Sequence, residues 1–430
     1  MALRLLHTSD WHLGHTLHGL DRAREHGAFL DWLLGTLAAE RVDALLVAGD
    51  VFDASNPPAA AVAQWYRFLA DAWRRLPRLQ IVVVGGNHDS AARLDAPHPL
   101  LDALGRLHVV GGLPRRAGAL DAERLVVPLT DAAGRTAAFA AAVPFLRPAD
   151  LPLDPQARGR GAAVDAAADG DALLAGTSAI YAEALAAARA RATGGEALIA
   201  LGHLYVAGGQ VSELSERKIL GGHLHALPSD LFPDDLAYVA LGHLHLAQRV
   251  GGREEVRYAG SPIALSFDER HYPHQVVLVV LDGARAAEIR ALAVPCVQEL
   301  RRVPGDAARP LEDVLAALAA LPAAAELPED AWPWLEVRVA LSAPEPALRS
   351  ILDGAVDGKA ARLVRIAPPR LSGTGAALAE SAPRQSLTEL EPGDVFEKKW
   401  ARDHAAPPPP EVVAAFQELL GALLAEDQAA

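Results

Sequence analysis

A chain of 430 residues has room for roughly two or three domains and a sizeable core. With 51% hydrophobic and 22% charged residues it has the balance of a soluble globular protein, which sets aside fibrous and disordered classes. The formal net charge of -14 argues mildly against a broad nucleic-acid-binding face, although bound metal ions would add positive charge that this count omits.

The single cysteine, Cys296, excludes an intramolecular disulfide framework and suits a reducing cytoplasm. No apolar run is long enough to span a bilayer, and the first residues lack the pattern of a signal peptide, so a cytoplasmic location without membrane contact is expected.

In chain order, Leu3 to Thr8 reads as a core strand that delivers Ser9-Asp10-Trp11-His12. A helix is predicted from about Arg22 to Ala39, with Phe29, Trp32, Leu33 and Leu37 at helical spacing. The buried strand Ala44 to Ala48 ends in Gly49-Asp50, and the helix Ala61 to Leu76 leads to the strand Ile81 to Val84 and then Asn87-His88-Asp89. Successive β–α units imply an α/β core with a largely buried sheet. Strands are expected at Arg124–Leu129 and Thr136–Val143, a surface loop from Pro148 to Gly170, and a helix from Leu173 to Arg191. Two further strands end in histidines: Ala197–Leu201 before Gly202-His203, and Leu236–Leu241 before Gly242-His243-Leu244-His245. Glu255–Tyr258 and Gln275–Leu281 read as closing strands.

The pattern changes after Pro295. A helix at Leu311–Leu321 and strands at Trp334–Leu341 and Arg362–Ile366 suggest a small α/β domain. Pro368 to Pro383 has the composition of a linker. Two short helices then flank Pro407 to Pro410, and Val412, Phe416, Leu419, Leu420, Leu423 and Leu424 make one apolar stripe. That stripe suits either packing on its own domain or docking on a partner helix.

Asp10, His12, Asp50, Asn87, His88, His203, His243 and His245 all fall just past predicted strand ends, where open α/β sheets bind ligands. Asp-x-His and His-x-His put two donors on one side of an extended segment. Mixed carboxylate, amide and imidazole donors suit Mn, Fe or Zn and are too nitrogen-rich for Ca. Two such ions about 3.5–4 Å apart need a bridging carboxylate and would clamp a phosphate ester; Asp50, alone at a central strand end, is the expected bridge. A single histidine beside a strand is more often structural, but five ordered strand-end hits are hard to reach by coincidence.

Asp10-Trp11-His12, Gly49-Asp50-Val51-Phe52-Asp53, Gly86-Asn87-His88-Asp89, Gly202-His203 and Gly242-His243-Leu244-His245 resemble, in order, the calcineurin-like metallophosphoesterase signature. Longer strings, His7 to Gly14, Asp31 to Leu34, Tyr258 to Pro262, Leu265 to Glu269, Leu387 to Leu390 and Val395-Phe396, resemble the bacterial SbcD family, nuclease subunits of SbcCD complexes. The resemblance implies a layered sheet core with flanking helices over residues 1–290. A capping domain would follow over 291–370, and a linker with C-terminal helices that grip the SbcC coiled coil over 371–430. It places Asp10, His12, Asp50 and His245 on one metal, and Asp50, Asn87, His203 and His243 on the other. His88 would contact the scissile phosphate and protonate the leaving oxygen.

The implied activity is Mn-dependent DNA cleavage in repair, replication and recombination: 3'-5' exonuclease action on double-stranded ends, and endonuclease action on hairpins and single strands. It would be driven by the ATPase SbcC, with a homodimer formed through the nuclease domain. His223 and His225 copy the last motif but lack a following strand, so they read as loop histidines. Asp53 stands where archaeal and eukaryotic relatives carry a histidine, which leaves its role open. His15, His18 and His26 are expected on an exposed loop or helix face. A phosphoesterase acting on small phosphodiesters or phosphoproteins is the competing reading, and a non-catalytic ATPase scaffold a third. An intact set of buried donors argues against the scaffold, because unpaired buried polar groups are costly.

Overall fold

The computed structural model describes residues 2–97, 105–151, 166–207, 209, 226–341 and 345–367. The linker, the C-terminal helices and His223/His225 expected above lie outside them.

The principal elements are β1 (Leu3–Thr8), α1 (Ala23–Ala39), β2 (Ala44–Ala48), α2 (Ala59–Arg75), β3 (Gln80–Val84), β4 (Leu107–Val110), β5 (Val126–Thr130), β6 (Thr136–Val143), α3 (Ala166–Arg191), β7 (Ala197–His203) and β8 (Tyr238–Gly242). There follow β9 (Gln248–Val250), β10 (Arg253–Tyr258), β11 (Gln275–Asp282), β12 (Arg285–Ala293), β13 (Leu300–Val303), β14 (Arg309–Pro310), α4 (Leu311–Ala319), β15 (Trp334–Ala340), α5 (Leu348–Val356) and β16 (Arg362–Ala367).

Two six-stranded sheets form the centre. The first runs β12-β11-β1-β2-β3-β4 and the second β9-β10-β8-β7-β6-β5. Within the first, β1 to β4 are parallel, while β11 and β12 join antiparallel beside β1. In the second, β6, β7, β8 and β10 are parallel.

Side-chain alternation assigns the two faces of the first sheet. Leu3, Leu5, Ala44, Leu46, Val82 and Val84 point into the core shared with the second sheet and with α3. Leu6, Leu45, Val47, Ile81 and Val83 point the other way, under α1 and α2. Both faces are apolar, so these strands read as near-continuous hydrophobic runs. The result is a helix–sheet–sheet–helix stack, the layered fold that the strand-end motifs implied.

The helix ending at Arg191 begins at Ala166, so the expected loop to Gly170 is too long at its end; the Ala-rich run after Val164 joins the helix. A third sheet, four-stranded, is centred on β15, which pairs in parallel with β13, β14 and β16. Val314, Leu318, Leu335, Val337 and Leu352 form its own core.

Candidate metal centre

The carboxyl ends of β1, β2, β3, β7 and β8 converge on one rim, so both central sheets contribute. Past its end, β1 continues to pair with the segment after β2: the Asp10 and His12 backbone N–H groups donate to Gly49 and Asp50 carbonyls, each at 3.0 Å. Alternation then separates Trp11 from its neighbours. Its ring is fully buried against Phe29, Trp65 and Phe68, and its Nε1 donates to Thr8 Oγ1 at 2.9 Å. Asp10 and His12 are thereby held toward the rim.

The loops after β2 and β3 are joined by Asp89. Its buried carboxylate accepts the N–H groups of Gly86 (2.9 Å), Val51 (3.1 Å) and Phe52 (2.9 Å). Burial and the nearby Asp50 charge push Asp89 up to about 6. Two glycines permit the close approach of segments. A Cβ on Gly86 would strike the Asp50 carboxylate, and one on Gly242 would strike the Ala48 carbonyl.

All eight candidates meet. Asp50 Oδ2 lies 3.5 Å from His12 Nε2 and 3.3 Å from His203 Nε2, while Asp50 Oδ1 accepts the His88 backbone N–H at 2.9 Å. Asn87 Oδ1 is 2.9 Å from His203 Nε2 and 3.0 Å from His243 Nδ1. The His243 backbone N–H donates to Asp10 Oδ1 at 2.9 Å, and the His12 and His245 rings sit 5.1 Å apart. Three groupings bring donor atoms close enough to share an ion: Asp10, His12 and His245; Asp10, Asp50 and His203; and His12, Asp50 and His88.

Four of these residues carry left-handed backbone, Asp10 (φ 55), His12 (φ 48), Asp50 (φ 50) and His243 (φ 104). Such conformations cost about 1–3 kcal/mol each in non-glycine residues and persist where the surroundings impose them.

The donor chemistry fits divalent cations. His203 Nδ1 faces the Ala48 carbonyl at 2.9 Å and must donate to it. By that hydrogen-bond pattern Nε2 is left with a lone pair directed at two oxygens, those of Asn87 and Asp50. Three electron-rich atoms together require a cation or a proton. Burial would depress His203, but the Asp50 and Asp10 charges outweigh it and lift the group to about 9. His12 Nε2 and His243 Nε2 are buried with no hydrogen-bond partner. Burial pushes His243 down to about 3 and lowers His12, so both rings are neutral donors at neutral pH. Burial also raises Asp10, whereas Asp50, despite its burial, is held well below the usual carboxylate range by the His203 and His12 rings.

Three carboxylates that the sequence left without a role support this rim. Asp89 is the staple described above. Asp53 Oδ1 lies 3.2 Å from His12 Nδ1 and 3.0 Å from His15 Nδ1, and its main-chain carbonyl accepts His88 Nδ1 at 2.8 Å. Glu269, fully buried, meets His245 Nδ1 at 3.1 Å. His15 is therefore half-buried and bonded, and His26 is fully buried in α1, contrary to the exposed positions expected; His18 is exposed. A carboxylate at +3 from Asp50 was visible in the sequence, but its partner His12 is distant in the chain.

The calcineurin-like phosphoesterase family model matches residues 3–247, and this fold and donor set define a phosphoesterase of that class. A second family model, the Type 5 capsule protein repressor C-terminal domain, matches residues 296–404. The chain is 43% identical over 395 residues to the D subunit of the SbcCD nuclease of Rhodobacter capsulatus, covering 92% of this chain and 93% of that one. It is 38% identical over 309 residues to the protein of the same name from Escherichia coli K12, covering 71% and 72%. The Bacillus subtilis protein of that name is 36% identical over 278 residues, covering 64% and 66%. The chain belongs to the SbcD family of nuclease subunits.

Proposed function

We propose that this chain is the nuclease subunit of an SbcCD-type complex and hydrolyses DNA phosphodiesters with two divalent metal ions. The observation that carries the reading is Asp50: one buried carboxylate within 3.5 Å of imidazoles reaching it from both central sheets. Asp10, His12, Asp50 and His245 would hold one ion, and Asp50, Asn87, His203 and His243 the other. Bound there, the pair would supply charge stabilisation for the phosphate and an activated water.

The chain's own residues do the rest. Asp53, through its carbonyl, fixes the ring of the half-exposed His88, whose Nδ1–H donates to it. His88 Nε2 is then directed away from that carbonyl. In the imidazolium form, with both ring nitrogens protonated, its N–H would donate to a phosphate oxygen and pass its proton to the leaving oxygen. The backbone link from His88 to Asp50 holds that ring beside the ligand set. The mixed oxygen and imidazole donors suit Mn, Fe or Zn alike, and the resemblance to the SbcD family favours Mn among them.

The partner is an SbcC-type ATPase, gripped by the apolar stripe Val412 to Leu424 of residues 371–430, with a capping domain over 291–370. Duplex ends, hairpins and single strands are the substrates, with 3'-5' polarity on duplex ends. The single Cys296 suits a cytoplasmic setting, and no helix among the described residues is long and apolar enough to cross a membrane. A homodimer through the nuclease domain is supported by α2, where Tyr66 and Trp73 are 40% and 43% exposed beside Leu69, Leu79, Ile81 and Leu107. Light scattering that returns only the monomer mass would remove the dimer. The test of function is direct: the chain with an SbcC-type partner, Mn and ATP should cut a hairpin and a blunt duplex. Intact DNA alongside turnover of a small phosphodiester would overturn the DNA assignment.

A further inference from the structure

The loop between β10 and β11 faces two ways. On one side, Glu269 meets the candidate ligand His245 at 3.1 Å and closes its own loop by accepting the Leu265 N–H at 2.9 Å. The Leu265 carbonyl faces His15 Nε2 at 3.0 Å, and His15 in turn contacts Asp53, which holds His12. Both histidines that this loop reaches, His245 directly and His12 through His15 and Asp53, belong to a single grouping of candidate ligands, with Asp10.

On the other side, the same loop is bolted to the third sheet. Phe267 is buried with Leu17 and Leu300, against Trp334 and Val364. Asp268 pairs with Arg302 of β13, and Arg302 Nε also donates to Glu336 of β15 at 2.6 Å. Glu336 is fully buried and takes Arg338 at 2.9 Å and Arg365 at 3.1 Å, so Arg302 stands in a fixed network and not on a loose surface. Arg270 pairs with Asp306. The ion-paired Asp268 and Glu269, whose carboxylate meets His245, are adjacent in the chain.

We propose that Glu269 is a positioning residue for His245, and that the Arg302–Asp268 contact makes the Leu265–Arg270 loop a strut coupling the third sheet to one half of the metal centre. A carboxylate behind a ligating imidazole fixes its ring orientation and raises its basicity. Because Glu269 and the Asp53 chain both serve the Asp10/His12/His245 half, the loop controls one ion and leaves the Asn87/His203/His243 half untouched. Displacing the third sheet relative to the central sheets would pull on His245 first.

This inference rests on the two-ion reading above, and Mn binding to the full chain, followed by calorimetry and by the Mn EPR signal of free ion, tests the two separately. The wild type should bind two ions; a single ion would overturn the two-ion reading, and Glu269 would then be judged on that ion alone. Glu269→Gln, which keeps shape and removes charge, should weaken one ion by about 10- to 100-fold and leave the other within about twofold. Its cleavage defect should appear as a raised Mn requirement, with turnover recovering at saturating Mn. Arg302→Met, which alters no candidate donor, should weaken the same ion by about 2- to 30-fold. Unchanged affinity for both ions in Glu269→Gln, or an equal loss at both, would overturn the positioning role. Wild-type binding in Arg302→Met would overturn the strut.

Discussion

The two halves of the metal centre are backed differently. His12 and His245 each present Nδ1 to a carboxylate, Asp53 at 3.2 Å and Glu269 at 3.1 Å. His203 instead presents Nδ1 to the neutral Ala48 carbonyl, and His243 shares Asn87 with it. Carboxylate backing leaves a more basic imidazole and extra negative charge around the ion, while carbonyl backing fixes the ring without that charge. The first half should therefore hold its ion more tightly and respond to changes remote from it. In the second half the His203 ring is set by the backbone and should resist substitution of the side chains around it. Charge still accumulates on both halves through Asp50, which stays ionised because the His203 and His12 rings outweigh its burial.

The strongest way to break that contrast is to remove what the halves share. Asp50→Asn should weaken both ions together and lower cleavage by about 1000-fold or more, since several kcal/mol of charge stabilisation depend on them. Metal analysis after gel filtration checks it, and retention of either ion at full occupancy would refute a shared bridge. His88→Gln should touch neither half. We expect turnover to fall by about 100- to 10,000-fold, with both ions still bound. A drop in metal content would move His88 from proton donor to ligand, as its closeness to His12 and Asp50 also allows. Asp53→Asn sharpens the comparison from one side: about 10- to 100-fold weaker binding of one ion, read by calorimetry. Equal weakening of both would erase the asymmetry.

The smallest effect lies outside both halves. Burial pushes His26 down to about 3, so the unfolded chain takes up a proton near pH 6.5 that the folded chain refuses. Stability is unaffected above pH 6.5 and falls as pH drops from there toward 3, by about 1.4 kcal/mol per unit from this group. In His26→Leu, denaturant titrations between about pH 7 and 5 should show a slope shallower by that amount. An unchanged slope would show that the ring is protonated inside the fold.

Much of this was readable in the chain because the central strands are short, apolar and terminated by glycine and a donor. Ala44–Ala48 followed by Gly49-Asp50 carries its strand, its end and its chemistry within one short stretch. Where information is not local, reading failed. β12 has only exposed and half-buried residues, and its half-buried ones, Ala286, Ile289 and Leu292, divide between two cores, so no alternation in the sequence marks it and its pairing with β11 does. α5, nine residues long, went unread because Leu352 and Val356 gain meaning only against α4 and β15. Asp53 and Glu269 look like surface acids, and their work depends on histidines 41 and 24 residues away. His26 shows the converse error, since a histidine among polar neighbours in sequence was turned inward by the helix.

The order of strands in the first sheet also bears on how the chain matures during synthesis. β1 lies between β2 and β11, and β11 begins at Gln275. The first strand to leave the ribosome therefore waits for the whole second sheet before its second edge is covered. Over that interval β1 is a buried-type strand with an open edge, the kind that invites pairing with another chain. Asp10 and His12 at its tip meet His243 and His245 only shortly before that closure. Assembly of the candidate ligand set is thus a late event, since it waits for β8 and the His243-Leu244-His245 segment that follows it. A nascent chain stalled before Gln275 should be aggregation-prone, and one stalled before His243 should also be unable to hold both ions, however well its early β–α units have formed.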